Sequence, residues 1–221
     1  MLGAMTFLLV LASIGGQVAK FFLGYDKLHG FIYLFDVDRE RNIPTYFSML
    51  LMLFAALLLV VITVLNRKQR TPHVSKWSIL SFGFLFMAAD EGLQIHERLE
   101  KPVRMLLGGG DLGIFNFAWV IPGIALVLVL ALFFLRFLLH LPAKTRLRFM
   151  MAATIYIGGA IGFEMIGGRY TALYGADNFT YRCILVTIEE SLEMVGLIVF
   201  IWALLDYCAD SYKEVLFRFE A

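Results

Sequence analysis

Three of the apolar runs in this chain are interrupted by acids. Asp90 and Glu91 open D-E-G-L-Q (90–94), and Glu97 follows. Glu164 ends the uncharged run 149–163, and Glu189, Glu190 and Glu193 form E-E-S-L-E (189–193). An acid at mid-span costs about 2.5–3.5 kcal/mol on the insertion scale. Such groups therefore face a cavity or a partner and mark functional sites. Their chemistry is that of hard oxygen ligands or of proton carriers. Carboxylate and amide oxygens suit Mg, Mn or Ca, and iron also fits. Structural zinc would want more Cys or His. A di-iron bundle would carry E-x-x-H motifs. The equivalent pairs here, Glu91/Gln94 and Glu190/Glu193, lack the histidine.

Helical geometry sorts these residues into faces. At about 100° per residue, Asp90, Glu91, Gln94, Glu97 and Arg98 share roughly 120° of arc, and His96 points away from them. Glu189, Glu190 and Glu193 share about 100°, with Arg182 on the same side two turns earlier. Glu164 shares a face with Gly167 and Gly168, while Gly158 and Gly162 form a G-x-x-x-G expected to favour close helix packing. Arg98, Arg169 and Arg182 are the arginines available for pairing on this side. Against Asp90, Glu91, Glu97, Glu164, Glu189, Glu190 and Glu193 they leave four acids unmatched. Those four must be protonated, hydrated, bound to a cation or paired with another protein.

The elements that position these groups follow from composition. Of 221 residues 60% are hydrophobic and 17% charged, and mean hydropathy is +0.79. Soluble domains are nearer half apolar and a quarter charged. The pattern predicts an all-α integral membrane bundle of about six transmembrane helices, a single domain over 1–221. The expected spans are about 2–24, 44–66, 77–97, 112–136, 148–168 and 184–206. The third, fifth and sixth reach the ~20 residues a crossing needs only by taking their acids into the membrane. Loops 67–76 and 136–148 carry Arg67, Lys68, Arg70, Lys76, Arg136, Lys144, Arg146 and Arg148 with no acid. The excess of Lys and Arg predicts that both loops, and with six spans both termini, are cytoplasmic. At helical rise, Asp90, Glu164, Glu189 and Glu193 then lie about 20–26 Å above the inner interface. Three helices are thus expected to bring acids to the same outer third of the bilayer.

Other chemistry is thin. A net charge of +1 offers no basic face for nucleic acid. Cys183 and Cys208 lie in one apolar segment about 37 Å apart if helical, too far for a disulfide. The first apolar run lacks preceding basic residues and a clear A-x-A site, so it reads as a retained span and not as a cleaved signal. No G-x-S-x-G, Walker loop or G-x-G-x-x-G is present. His29, His73 and His140 fall in loops without a motif, and His96 reads as a helix-end histidine. Segment 25–43 reads as interfacial. Its D-V-D-R-E run lacks the glycine and distal acid of a calcium loop and is expected to be solvated.

L-F-D-V-D-R-E-R-N-I-P-T-Y-F-S (34–48), A-D-E-G-L-Q-I-H-E-R-L (89–99) and E-E-S-L-E-M-V-G (189–196) resemble an uncharacterised family of small bacterial multi-span membrane proteins. The resemblance runs from about 30 to 207. It implies a bacterial inner-membrane location and transfers no catalytic residue.

Two functional readings follow. In the first, Asp90, Glu91, Glu164, Glu189, Glu190 and Glu193 form a periplasm-side metal- or proton-dependent site, with Gln94, His96, Glu97, Arg98, Arg169 and Arg182 as its polar surround. In the second, the chain is a non-catalytic accessory subunit of a larger membrane complex, and the acids pair with arginines or with a partner. The bilayer is the expected partner in both, with other membrane subunits in the second.

Overall fold

A computed structural model describes residues 1–25, 30–110 and 112–212. His29 and the chain beyond residue 212 lie outside the described residues. The fold is all-α, with no strand among the described residues. The elements in chain order are α1 (Leu2–Leu23), α2 (Phe31–Phe35), α3 (Ile43–Lys68), α4 (Val74–Leu93), α5 (Ile95–Leu106), α6 (Val120–His140), α7 (Ala143–Ile157), α8 (Glu164–Tyr174) and α9 (Val186–Ser211). A short 3₁₀ turn, Gly113–Phe115, precedes α6. Two π-helical segments, Gly158–Phe163 and Thr180–Leu185, lead into α8 and α9.

Local chemistry sets the boundaries. Asn42 caps α3 by accepting from the Thr45 N–H, and Pro44 fills a first-turn position where a missing N–H costs nothing. Gly24 ends α1 in the left-handed region at φ 71°. Leu141-Pro142 separates α6 from α7. Four helical stretches are long and apolar enough to cross a membrane: Leu2–Leu23, Ile43–Lys68, Val120–His140 and Ala143–Tyr174. The last runs unbroken through α7, the first π segment and α8. The fourth apolar run was expected from residue 112, but its helix begins at Val120, because 112–119 is taken up by the 3₁₀ turn and bends.

The core lies where α3, α4, α7 and α9 meet. Leu59, Ile62, Met194 and Leu204 are fully buried there. Between α4 and α9, Trp77 packs on Tyr207 with centroids 4.9 Å apart. One heptad on, Phe84 stacks on Phe200 at 4.7 Å. The next pair in this antiparallel register is Glu91 and Glu193. The interface thus changes from aromatic to acidic along its length.

The two ends of the bundle differ. At one, the His73 and His140 rings lie 4.8 Å apart, and Lys144 pairs with Asp206 at 2.8 Å. At the other, α1 ends beside the segment after α8, with Lys20 4.0 Å from Asp177 and Phe22 edge-on to Phe179 at 4.9 Å.

Candidate functional site

The acids collect toward the second end. The segment after α2, expected to be solvated, is instead folded inward. Asp36 is 4% exposed and Val37 5%. Asp36 Oδ1 accepts from Gln17 Nε2 at 2.8 Å and from its neighbour Asp38 N at 3.2 Å. The Val37 N–H donates to Ser13 Oγ at 3.2 Å, and Asn42 Nδ2 donates to Asp36 O at 2.7 Å. A buried polar group needs such partners, and α1 supplies Gln17 and Ser13 for the purpose. The anchored turn presents Asp38 to Arg182, which pairs with it directly, and directs Glu40 toward Glu97 and His96. Burial is the main cause that pushes Asp38 and Glu40 each up to about 6, against 3.8 and 4.5 ordinarily.

The acidic stripe expected on one uninterrupted third helix is broken. Gln94 adopts φ 53°, in the left-handed region, and α4 stops at Leu93. The chain turns there, so the 100° rule fails beyond Leu93 and His96 comes back toward Asp90. Asp90 Oδ1 accepts from the His96 N–H and Oδ2 lies against His96 Nδ1, both at 2.8 Å. Burial opposes charge on His96, but the Asp90 carboxylate outweighs it and raises the His96 pKa. Gln94 Nε2 donates to Glu97 Oε2 at 3.1 Å. Glu97 and Arg98 are exposed on α5.

The other two acidic segments follow the π segments. A π turn adds a residue to the helix circuit, shifts the face downstream, and recurs at functional sites. The first one moves the tight packing from the expected Gly158 and Gly162 to Gly159. A Cβ at Gly158 or Gly162 would meet nothing within 4 Å. One at Gly159 would lie 2.8 Å from Glu189 O and 3.1 Å from Glu193 Cγ. Glu164 then stands at the head of α8, where its Oε1 accepts from Trp119 Nε1 at 2.9 Å. Its carboxyl also comes within hydrogen-bonding reach of the carboxyl of Glu189. Glu193 hydrogen-bonds the Tyr156 hydroxyl and is in Coulombic reach of Glu91 and Glu164. Glu190 is in similar reach of Glu193, Glu91, Glu40 and Asp38.

Arg182 sits in the second π segment and pairs with Asp38 and Asp177. Its charge is thus spent on loop acids. Arg169 projects from the exposed side of α8 into an apolar groove. Among the described residues no three His, Cys, Asp or Glu side chains form a group that could hold a metal ion. Cys183 and Cys208 are both free.

Five contributors escaped sequence reasoning: Asp38, Glu40, Trp119, Tyr156 and Tyr181. The Tyr181 ring closes over Gly167, whose Cβ would lie 3.2 Å from Tyr181 Cε2. The one available signal was N-I-P-T at 42–45, a capped helix start that anchors the acids just before it. Trp119 and the tyrosines carry no spacing signature.

Residues 1–208 match the family described as a domain of unknown function (DUF8692), and the chain belongs to that family. No curated protein and no solved structure matches the chain.

Proposed function

We propose that this chain is a six-span inner-membrane protein of bacteria that holds and passes protons at its periplasmic end. The spans are α1, α3, α4, α6, the continuous α7–α8 and α9. In this reading α4 and α9 cross the membrane despite their acids. Their 20 and 26 residues extend about 30 and 39 Å, enough for a hydrocarbon core of about 30 Å. The acids are accommodated by facing one another across the bundle.

The contact between Glu164 and Glu189 carries this reading. An ionised carboxylate only accepts hydrogen bonds. Two carboxyls can therefore bond to each other only with a proton between them. Trp119 donates to Glu164 and fixes which oxygen is left to share. Glu193 and Tyr156 supply a second acid and hydroxyl one turn along α9, and Glu91 and Glu190 lie within reach. Chains of acids of this kind are what proton relays in membranes use. Hydrogen-bonded pairs, and not a convergent ligand set, favour the proton over a cation. The pairing of Arg182 with Asp38 and Asp177 also leaves the α9 acids without that arginine, which weakens the ion-pair alternative.

Infrared difference spectroscopy of the reconstituted protein at neutral pH tests the proposal. A carbonyl band of protonated carboxylic acid, shifted in D₂O and lost in Glu189→Gln, is the expected result. A wild-type spectrum without that band would overturn it. A stoichiometric divalent metal lost in the same variant would transfer the site to cation binding.

A further inference from the structure

The strongest feature outside the acidic site is a groove of about 560 Å³ on the outer side of α8. Its volume is in the usual range for small-molecule pockets. Gly162, Met165 and Ile166 form its floor, and Ile114 of the 3₁₀ turn forms the facing wall. Arg169, Tyr170 and Tyr174 stand at one end. Gly162 contributes by omission, since a Cβ there would meet no atom within 4 Å. The floor is apolar, and among the described residues lining the groove Arg169 is the charged one.

Depth gives this arrangement a meaning. Counting from Arg148 at the inner boundary, Arg169 stands about 31 Å up the helix and Gly162 about 21 Å. A hydrocarbon core of about 30 Å places Gly162, Met165 and Ile166 among acyl chains and Arg169 at the headgroup boundary. Tyr170 and Tyr174 then lie in the aromatic belt. An apolar trough beneath a guanidinium at that height matches an amphiphile with an anionic head. A guanidinium carries five donors, so a phosphate adds to the interaction Arg169 already makes.

We infer that this groove binds an anionic phospholipid of the outer leaflet, its acyl chain along Gly162, Met165 and Ile166 and its phosphate on Arg169. The inference rests on the proposed membrane placement of α8 and is independent of the proton reading. A missing protonated-acid band would leave it standing, and its own failure would leave the carboxyl pair standing.

The test is native mass spectrometry of the delipidated, detergent-purified protein, titrated with phosphatidylglycerol or phosphatidylcholine of matched chains. Wild type should hold phosphatidylglycerol roughly tenfold more tightly, because the choline of phosphatidylcholine offsets the charge of the phosphate that Arg169 meets. Arg169→Gln should bring the two lipids to parity. Gly162→Leu, whose Cβ meets no atom within 4 Å, should fill the groove and lose both. Equal affinities in wild type would overturn the inference, as would an unchanged preference in Arg169→Gln. Competition by inorganic phosphate at the same concentration would also sink it, since that would mark an anion site without an acyl groove. Circular dichroism of each variant separates loss of the site from loss of the fold.

Discussion

Tyr156 lies with its backbone directly against Gly196. A Cβ at Gly196 would sit 2.8 Å from both the N and Cβ of Tyr156 and 2.9 Å from its Cα. Real Cβ atoms do not approach backbone so closely, so any side chain at 196 drives α7 and α9 apart. The contact matters because Tyr156 also holds Glu193 through its hydroxyl. Gly196→Ala is expected to destabilise the protein by about 1–3 kcal/mol, the usual cost of overpacking. Gly158→Ala has open space around it and should stay within about 0.5 kcal/mol of the parent. Thermal midpoints in detergent compare the two. Equal loss in both variants would refute the close contact.

Glu193→Gln separates the roles that α9 acids can play. The amide oxygen of glutamine still accepts from the Tyr156 hydroxyl. The substitution also sets a neutral amide beside Glu91 and Glu164. Among the described residues no ion pair to Glu193 is found, so the penalty of about 3–5 kcal/mol for breaking a buried ion pair does not apply. The variant should fold with a midpoint within about 1 kcal/mol of the parent. Tyr156→Phe should lose more, because it leaves Glu193 without its donor. A large loss in Glu193→Gln alone would restore the ion-pair reading.

Helix type and the acid-bearing segments were legible from the sequence because both rest on hydropathy and on the cost of charge in apolar surroundings. The helix Leu2–Leu23 falls within the segment 2–24, whose run is mostly apolar with Lys20 as its one charge. Faces were less legible, for a geometric reason. The 100° rule assumes an unbroken α-helix, and it fails at Gln94 and in both π segments. That failure mis-aimed His96 and assigned the packing to Gly158 and Gly162 instead of Gly159. The buried turn after α2 was hidden for a different reason. Burial of Asp36 depends on Gln17 and Ser13, and no local pattern announces a partner on another helix.

The pH dependence of stability follows from Glu40 and His96. Glu40 is raised from 4.5 to about 6, first by burial and then by the charge of Glu97. The folded state therefore binds this proton more tightly than the unfolded chain. The stability it contributes is present below pH 4.5 and is lost as pH rises through about 6. Solvent screening of this part-exposed group brings that gap down to about 1 kcal/mol or less. Burial opposes the charge on His96, but the hydrogen bond His96 donates to Asp90 outweighs it and raises the histidine above 6.5. Its contribution is full below 6.5 and also declines as pH rises. Both groups act in the same direction, so the thermal midpoint should fall from pH 5 to pH 7.5. Glu40→Gln should flatten the lower part of that curve and Asp90→Asn the upper part. A midpoint that climbs across the interval would contradict both assignments.

The last prediction concerns which end faces the cytoplasm. The His73–His140 ring contact and the Lys144–Asp206 pair at 2.8 Å put loops 67–76 and 136–148 and the end of α9 at one level. Lys20 near Asp177 puts the end of α1 and the segment after α8 at the other. Membrane insertion favours Lys and Arg on the cytoplasmic side, and loops 67–76 and 136–148 carry eight of them with no acid. Single cysteines at Arg70, Lys144 and Asp177, in a background with Cys183 and Cys208 replaced by serine, make the test direct. An impermeant maleimide applied to intact spheroplasts should label position 177 alone, and all three after lysis. Labelling at 144 but not at 177 in intact spheroplasts would invert the protein. The carboxyl pair of Glu164 and Glu189 would then face the cytoplasm, and Arg169 would meet inner-leaflet lipid. Labelling at 70 and 177 together would break the six-span arrangement itself, because an odd number of crossings must separate those two positions in it.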